Sequence, residues 1–333
     1  MITGLTEANP DKRKLSIKAS SVPDRIFYSV ATAAAYSTIV LVVAIIFFLT
    51  LRAWPTFEKF GFLNFVFGSG WDNSLENPTF SIGPMLYGSF LIAGIGVLLA
   101  VPMAISIAYF IEFMAPKSIA KGTTILVDLL AAIPSVVIGL WGLSVFSPIG
   151  AHWSELLHNS LGFIPLFEND ADNFQRTPFI AGFIVAVMIV PIIASITREI
   201  FSQIDQDLIN ASLALGANRE TTFRKVILPT AAGGIVGGVL LALGRAVGET
   251  VAIFFVLNLV FDEVNWFRIV LPEGGAVASL ILAKFAEATA EEVSALLAAG
   301  VVLFGFTLII NTIASFIVAV SYTHLTLPTN REV

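Results

Sequence analysis

Cysteine is absent from the 333 residues, so neither a disulfide nor thiolate chemistry is open to this chain. Charge is scarce as well. Asp, Glu, Lys and Arg make up 13% of the sequence, where about a quarter is usual in a soluble domain, and 56% of residues are hydrophobic with a mean hydropathy of +0.88. Missing too is Gly-x-x-x-x-Gly-Lys-Ser/Thr, the loop that cradles phosphates in nucleotide hydrolases. The chain is therefore expected to hydrolyse no ATP itself, to be no enzyme, and to hold neither cofactor nor metal.

The charge deficit is patchy, and the patches identify a membrane protein. No Asp, Glu, Lys or Arg occurs from Ile26 to Leu51, Asn77 to Ile111, Leu129 to Ser154, Thr177 to Thr197 or Val293 to Asn330. Each run suffices for a hydrocarbon core, which needs roughly 20 apolar residues. A sixth span is read through the apolar stretch from Ala231 to Val260 despite Arg245 and Glu249. The spans are expected at 26–51, 82–111, 123–146, 178–197, 231–257 and 293–320. With the N-terminus in the cytoplasm, eleven Lys and Arg in the loops fall inside and five outside, which satisfies the positive-inside rule. Both termini are then cytoplasmic. Residues 1–25 read as a polar cytoplasmic segment leading into a retained signal anchor, because the apolar run is longer than the roughly 7 to 15 residues of a signal-peptide core.

The outer loops are long and acidic, with Trp71, Asp72 and Glu76 in the first and Glu155, Glu168, Asp170 and Asp172 in the second. They suit a docking face or lid, and equally plain solvated connections. Ala278 to Ala288 is too short and too charged to span and reads as a surface or re-entrant helix. Pro102, Pro134 and Pro191 are expected to kink the second, third and fourth spans, which membranes tolerate where neighbouring helices supply partners. The fifth span is rich in small residues four apart, from Gly233, Gly234, Gly237 and Gly238 to Ala242, Gly244 and Gly248, as close helix approach requires.

Arg198 to Pro229, between the fourth and fifth spans, reads as two short amphipathic helices and a turn. Leu208, Ala211, Ser212 and Leu215 fall at i, i+3, i+4 and i+7, Gly216 suits the left-handed residue that ends a helix, and Asn218 suits the cap of the next. Phe223, Val226 and Ile227 make the second stripe, and Pro229 is expected to stop it. As a DNA-reading helix-turn-helix the segment is poor, with four basic residues and no recognition face, so no nucleic-acid partner is expected. A helix pair lying on the lipid surface is the plainer alternative.

Asn210-Ala211-Ser212, Gly216 and Val226-Ile227-Leu228-Pro229 resemble the loop by which ABC-importer permeases dock onto their ATPase, which typically reads Glu-Ala-Ala, three residues, Gly, nine residues, Ile-x-Leu-Pro. Asn210 departs from the family's Glu. Leu130-Ala131-Ala132-Ile133-Pro134-Ser135 through Trp141-Gly142, and Gly244-Arg245-Ala246-Val247-Gly248-Glu249-Thr250, look like the signatures of phosphate-importer permeases. The resemblance covers residues 25–318. The long first outer loop with Trp71-Asp72, and Gly244 directly before Arg245, look more like the PstC-type than the PstA-type subunit. The resemblance implies an all-α polytopic membrane protein of the bacterial inner membrane. Its six transmembrane helices would form the type I importer bundle over 26–320, with a cytoplasmic coupling helix pair in 198–229. It also implies a PstA-type second permease, a PstB-type ATPase dimer, a PstS-type extracytoplasmic phosphate-binding protein, and phosphate as cargo. Asn210, Ala211, Ser212, Gly216, Leu228 and Pro229 are the ATPase-coupling candidates.

Arg245 and Glu249 are the candidates for the substrate pathway. Four apart on one helix face, they are expected to pair or to face water, since an unpaired charge at that depth costs about 2.5 to 3.5 kcal/mol. A pair that merely fixes packing is the competing reading. Ion-coupled secondary transport tolerates such residues and kinked helices without needing the docking loop; permeases for other oxyanions and a non-transporting scaffold also remain open. Finally, Val320 to Leu325 reads like a translated transposon end from a sequencing library. The tail 321–333 is therefore expected to be non-native, and His324 without a role.

Overall fold

The computed structural model describes residues 22–74 and 76–325. By packing the chain divides into Met1–Leu49 and Thr50–Val333. The N-terminal segment expected at 1–25 lies almost wholly outside the described residues. Of the tail, only Ser321 to Leu325 is described, as backbone continuing the last helix.

Six stretches are long and apolar enough to cross a membrane: Arg25–Phe60, Gly83–Met114, Ser135–Leu161, Pro178–Ser202, Arg219–Val247 and Ala290–Phe316. Three of them are single helices: Pro178–Ser202 and the two longest, α1 (Val22–Phe60) and, at the other end of the chain, one closing at Leu325. Through residue 45, the side chains of α1 from Arg25 onward are exposed and mostly apolar, which suits a helix solvated by lipid. A short helix α2 (Phe62–Phe67) and a two-residue hairpin follow, β1 (Trp71–Asp72) pairing antiparallel with β2 (Thr79–Phe80).

The third span differs from expectation. The second span, α3 (Gly83–Tyr109), closes in a π-turn at Phe110–Met114, and residues 117–131 then form a separate helix α4 (Lys117–Ala131). The span itself starts beyond Pro134 with α5 (Ser135–Trp141), passes a π-turn at Gly142–Phe146 and continues as α6 (Ser147–Leu161). Pro134 therefore precedes a helix as its cap instead of kinking one, since proline donates no N–H and holds Ile133 out of helical geometry. Hydropathy alone runs smoothly across this break. Pro102 and Pro191 do lie inside helices, α3 and α7 (Pro178–Ser202), as expected.

α7 is the most enclosed span. Its Ile180, Ile184, Ile189 and Ile193 are fully buried in a core shared with Ile92, Ala100 and Ala104 of α3 and with Ala242 and Ala246 of α10 (Leu228–Val247). Lipid is as apolar as these side chains, so shape fit rather than exclusion of water holds such helices together. Small residues make the fit. A methyl group at Gly96 of α3 would lie 2.9 Å from Val185, and one at Gly238 of α10 would lie 2.9 Å from Ile196, so the glycine stripe of the fifth span is used in part against α7. Gly237, by contrast, faces open space.

Beyond α10 the chain breaks at Gly248–Thr250, makes the short helix α11 (Val251–Val256), and crosses the end of the bundle as an extended loop. It re-enters with α12 (Val277–Lys284), whose first turn is buried, then joins α13 (Ala290–Leu325). Of the stretch 278–288, expected as a surface or re-entrant helix, residues 278–280 are buried and the rest is half-buried or exposed. Gly88 of α3 lies directly against the Gly275 carbonyl at the start of α12, and Val277 N–H donates to Ser89 Oγ at 3.0 Å. Gly88→Ala is therefore expected to destabilise the bundle by at least the 1 to 3 kcal/mol of an overpacked core. Gly94→Ala, on the same helix facing open space, is expected to be near neutral. Thermal unfolding in detergent compares the two, and an equal effect would refute the close-approach account.

Candidate functional site

At one end of the bundle, α7 leads through a short turn into α8 (Gln206–Ala214), which is followed by α9 (Arg219–Thr222). Both starts are capped: Asp205 Oδ1 accepts from Asp207 N–H at 2.9 Å, and Asn218 Oδ1 accepts from Thr221 N–H at 2.7 Å. The Asn218 cap was legible in the sequence; Asp205, the usual capping type one residue before Gln206, was passed over. Between the helices Gly216 has φ of 85°, the left-handed region expected of it. Ala217 N–H donates to Ser212 O at 3.2 Å and Gly216 N–H to Leu213 O at 3.0 Å, the paired bonds of a Schellman ending.

The two helices are joined by one side-chain bond, Ser212 Oγ to Thr222 Oγ1 at 3.0 Å. Thr222 is buried, and Ile209 and Phe223 pack on a small core of Ala108, Phe201, Ile204, Ile227 and Ala231. The face that turns inward is thus the Ile209/Ser212 side. Of the stripe Leu208, Ala211, Ser212 and Leu215, Ser212 turns inward, whereas Leu208, Ala211 and Leu215 are exposed, Leu215 to 90%. Asn210 is exposed beside them, and so is Pro229, whereas Leu228 is half-buried.

Pro229 does not stop the second helix. Residues Phe223–Ile227 widen into a π-turn in which Leu228 N–H reaches Phe223 O, and α9 runs on into α10 with Pro229 near its start. An extra residue in the turn relieves the clash that a proline ring makes with the preceding turn. α9, which follows the Gly216 turn, and the fifth span are therefore one continuous rod, Arg219–Val247, with Leu228 and Pro229 inside it.

Arg245 and Glu249 are not brought together. α10 ends at Val247 with Gly248 as its cap, so the two residues do not share a helix face, and no ion pair joins them among the described residues. Arg245 is exposed near the end of α10. Glu249 is buried and its Oε1 accepts from Ala252 N–H at 3.2 Å, capping α11. Thr250 Oγ1 donates to Gly248 O at 3.2 Å, and Ser279 Oγ of α12 donates to Thr250 O at 3.0 Å. The break was visible as Gly-Glu-Thr, a helix-ending glycine followed by capping types, but the apolar residues on both sides concealed it.

The opposite end of the bundle holds polar links that loop composition did not reveal. Glu292, buried on α13, accepts from Trp71 Nε1 and Asn73 Nδ2, each at 2.8 Å, which anchors the hairpin. Arg268 binds Asp170 at 2.8 Å and Glu168 at 3.4 Å, and Lys59 pairs with Glu291. Several of the acidic loop residues are thus structural.

The sequence pattern described as "Binding-protein-dependent transport system inner membrane component" matches residues 96–322. The chain belongs to this family. Members are transport permease components of a multi-pass kind, consistent with the six spans, and catalytic activity is not their part. The phosphate transport system permease protein PstC of Haemophilus influenzae is 36% identical over 274 residues, 80% of this chain and 84% of that one. PstC 2 of Mycobacterium tuberculosis is 34% identical over 296 residues, 87% and 90% respectively. Among solved structures, a bacterial alginate ABC transporter in complex with its periplasmic protein superposes with a TM-score of 0.55 at 14% identity, covering 88% of this chain and 93% of that chain. The inward-facing MetNI methionine ABC transporter gives 0.50 at 17% identity, covering 72% and 94%. At such identities the likeness is one of fold, and the fold of this permease is that of the ABC importers.

The capping role assigned to Glu249 separates it from Arg245 experimentally. Glu249→Ala is expected to lower stability by about 1 kcal/mol, the usual worth of a helix cap. Glu249→Gln, which keeps an acceptor oxygen, is expected to change it little, and Arg245→Gln to leave it unchanged. Unfolding of the detergent-solubilised variants measures all three; matching losses for Arg245→Gln and Glu249→Ala would restore the ion pair.

Proposed function

We propose that this chain is the PstC-type permease subunit of an ATP-driven phosphate importer. It would line the pathway beside a PstA-type permease, above a PstB-type ATPase dimer. A PstS-type binding protein would deliver phosphate to the opposite end of the bundle. The end bearing α8 and α9 then faces the cytoplasm, with both termini on that side. The observation that carries the reading is the unpartnered apolar face of α8, Leu208, Ala211 and Leu215, next to Asn210 and held in place by the Ser212 to Thr222 bond. An amphipathic helix whose exposed face is apolar needs a groove to receive it. The phosphate permeases similar over most of both chains support the cargo.

In this reading ATP-driven closure of the ATPases displaces α8. Because α9, the π-turn and α10 are one rod, that displacement reaches Arg245 near the rod's far end. Arg245, exposed and free of an ion pair among the described residues, is the cation that a multiply charged oxyanion needs beside it in a low-dielectric path. Glu249 keeps its place in the pathway as the cap that holds the break after Arg245 open, rather than as a counter-ion exchanged with the anion.

Two measurements on the reconstituted importer test this. Gly216→Val places a side chain on a left-handed residue, at a strain of about 1 to 2 kcal/mol, although no neighbouring atom obstructs it. Phosphate uptake per ATP hydrolysed is expected to collapse while the permease still inserts, and Gly216→Asn to behave nearly as the parent. Normal coupling in a well-expressed Gly216→Val complex would remove the docking-turn role. Separately, Arg245→Gln is expected to abolish phosphate uptake with the ATPase still bound. Full uptake by that variant, or phosphate failing to outcompete other oxyanions in the parent, would remove the pathway role or the cargo assignment respectively.

A further inference from the structure

The loop before α7 holds a second arginine in an unusual setting. Arg176 adopts φ of 56°, a left-handed backbone for a non-glycine residue, which costs about 1 to 2 kcal/mol and persists only where surroundings enforce it. Its Nη1 donates to Asn258 Oδ1 at 3.3 Å, and the carboxamide is itself oriented by Asn258 Nδ2 donating to Pro272 O at 3.2 Å. The loop that carries these groups is tied down by Phe179 N–H to Ile269 O and Val260 N–H to Gly274 O, both 2.8 Å. Arg176 borders a recess of about 310 Å³ whose other walls include Leu143, Phe254, Phe255 and Leu257.

Arg268, Lys59 and Lys284 are compensated and Arg176 is not. Arg268 has Glu168 and Asp170, Lys59 has Glu291, and Lys284 lies 5.6 Å from the Phe261 ring centre, whereas Arg176 makes no ion pair among the described residues. The exposed Arg176 guanidinium, at the rim of this recess and bound to a neutral carboxamide, keeps most of its donors for an anion. Asn258 lies just past the end of α11, and Glu249 caps its start. At 1.5 Å per residue that helix is about 9 Å long.

We infer that Arg176, positioned by Asn258, is an anion-receiving site at the outer mouth of the permease. It would hold a tetrahedral oxyanion about one short helix away from the Arg245 end of the path. The planar fork of arginine suits two oxygens of such an anion, and the neutral Asn258 partner fixes the fork without competing for it. The assignment of this site as the first stop of the pathway rests on the reading of Arg245 given above. The strained backbone then has a purpose, which is to aim a charged side chain into the recess.

The absence of cysteine from the chain makes a direct test available. In the assembled importer, in right-side-out vesicles, Leu259→Cys on the wall of the recess is labelled with impermeant thiosulfonates of negative or positive charge, the modification being read on this chain. Arg176→Gln is expected to lower the negative-to-positive rate ratio several-fold, the effect of removing one unit charge from the same recess. Millimolar inorganic phosphate is expected to slow labelling more than chloride of equal ionic strength does. Arg176→Gln is expected to remove that protection, and Arg176→Lys to keep the ratio with weaker protection. Leu143→Cys reports from the facing wall if Leu259→Cys does not assemble. An unchanged ratio, or a changed ratio without phosphate protection, overturns the proposal. Protection that survives Arg245→Gln shows that the outer site stands by itself. Protection lost in the parent while Arg245→Gln still abolishes uptake removes this site and leaves the pathway reading standing.

Discussion

A helix that breaks inside a membrane must find partners for the backbone groups it frees, because lipid supplies none. The break at Gly248–Thr250 meets that demand locally. Glu249 takes the Ala252 N–H, Thr250 takes the Gly248 carbonyl, and Ser279 of α12 takes the Thr250 carbonyl. Much else follows from this small network. It starts α11, it ties α12 to the break, and it leaves Arg245 near the exposed end of α10 rather than paired with Glu249. A buried carboxylate satisfied by a backbone donor is a scaffold, and the arginine is thereby left to interact with something else.

The other end of the same rod shows the complementary device. α9, the π-turn and α10 run without interruption from the exposed α8 face to Arg245, and the aromatic cluster of Tyr109, Phe201 and Phe223 holds the junction against α3 and α7, with Tyr109 and Phe223 ring centres 4.4 Å apart. A stiff connection of this kind carries a displacement over its whole length, where a flexible loop at Pro229 would absorb it. The Schellman turn at Gly216 and the Ser212 to Thr222 bond tie α8 to that rod. The packing explains how this sequence builds the continuous helix.

At the far side the acidic loops divide by role. Glu168, Asp170, Glu291 and Glu292 neutralise Arg268 and Lys59 or hold Trp71 and Asn73, and so fasten the loops to the spans. Arg176 stands apart because its partner is a neutral amide. Counting charges in these loops does not separate the two groups; which carboxylate reaches which cation does.

The six crossings, the polar segment between the fourth and fifth spans, Gly216 as a left-handed turn and Asn218 as a cap were all determined by the sequence, because each depends on composition or on residues within one helical turn of each other. The all-α fold and the family followed from the same local signals. Other features were decided only by the tertiary structure. The third span starts after Pro134, since hydropathy is blind to where an apolar run turns. Pro229 is absorbed by a π-turn, since whether a proline ends a helix depends on the packing that follows it. Arg245 and Glu249 part company, and Leu208 and Leu215 face outward while Ile209 and Ser212 face in, since periodicity marks an apolar stripe but not what covers it. Arg176 and Asn258 lie 82 residues apart, and their meeting is written in no local pattern; it exists because the start of α7 and the start of the loop after α11 come together.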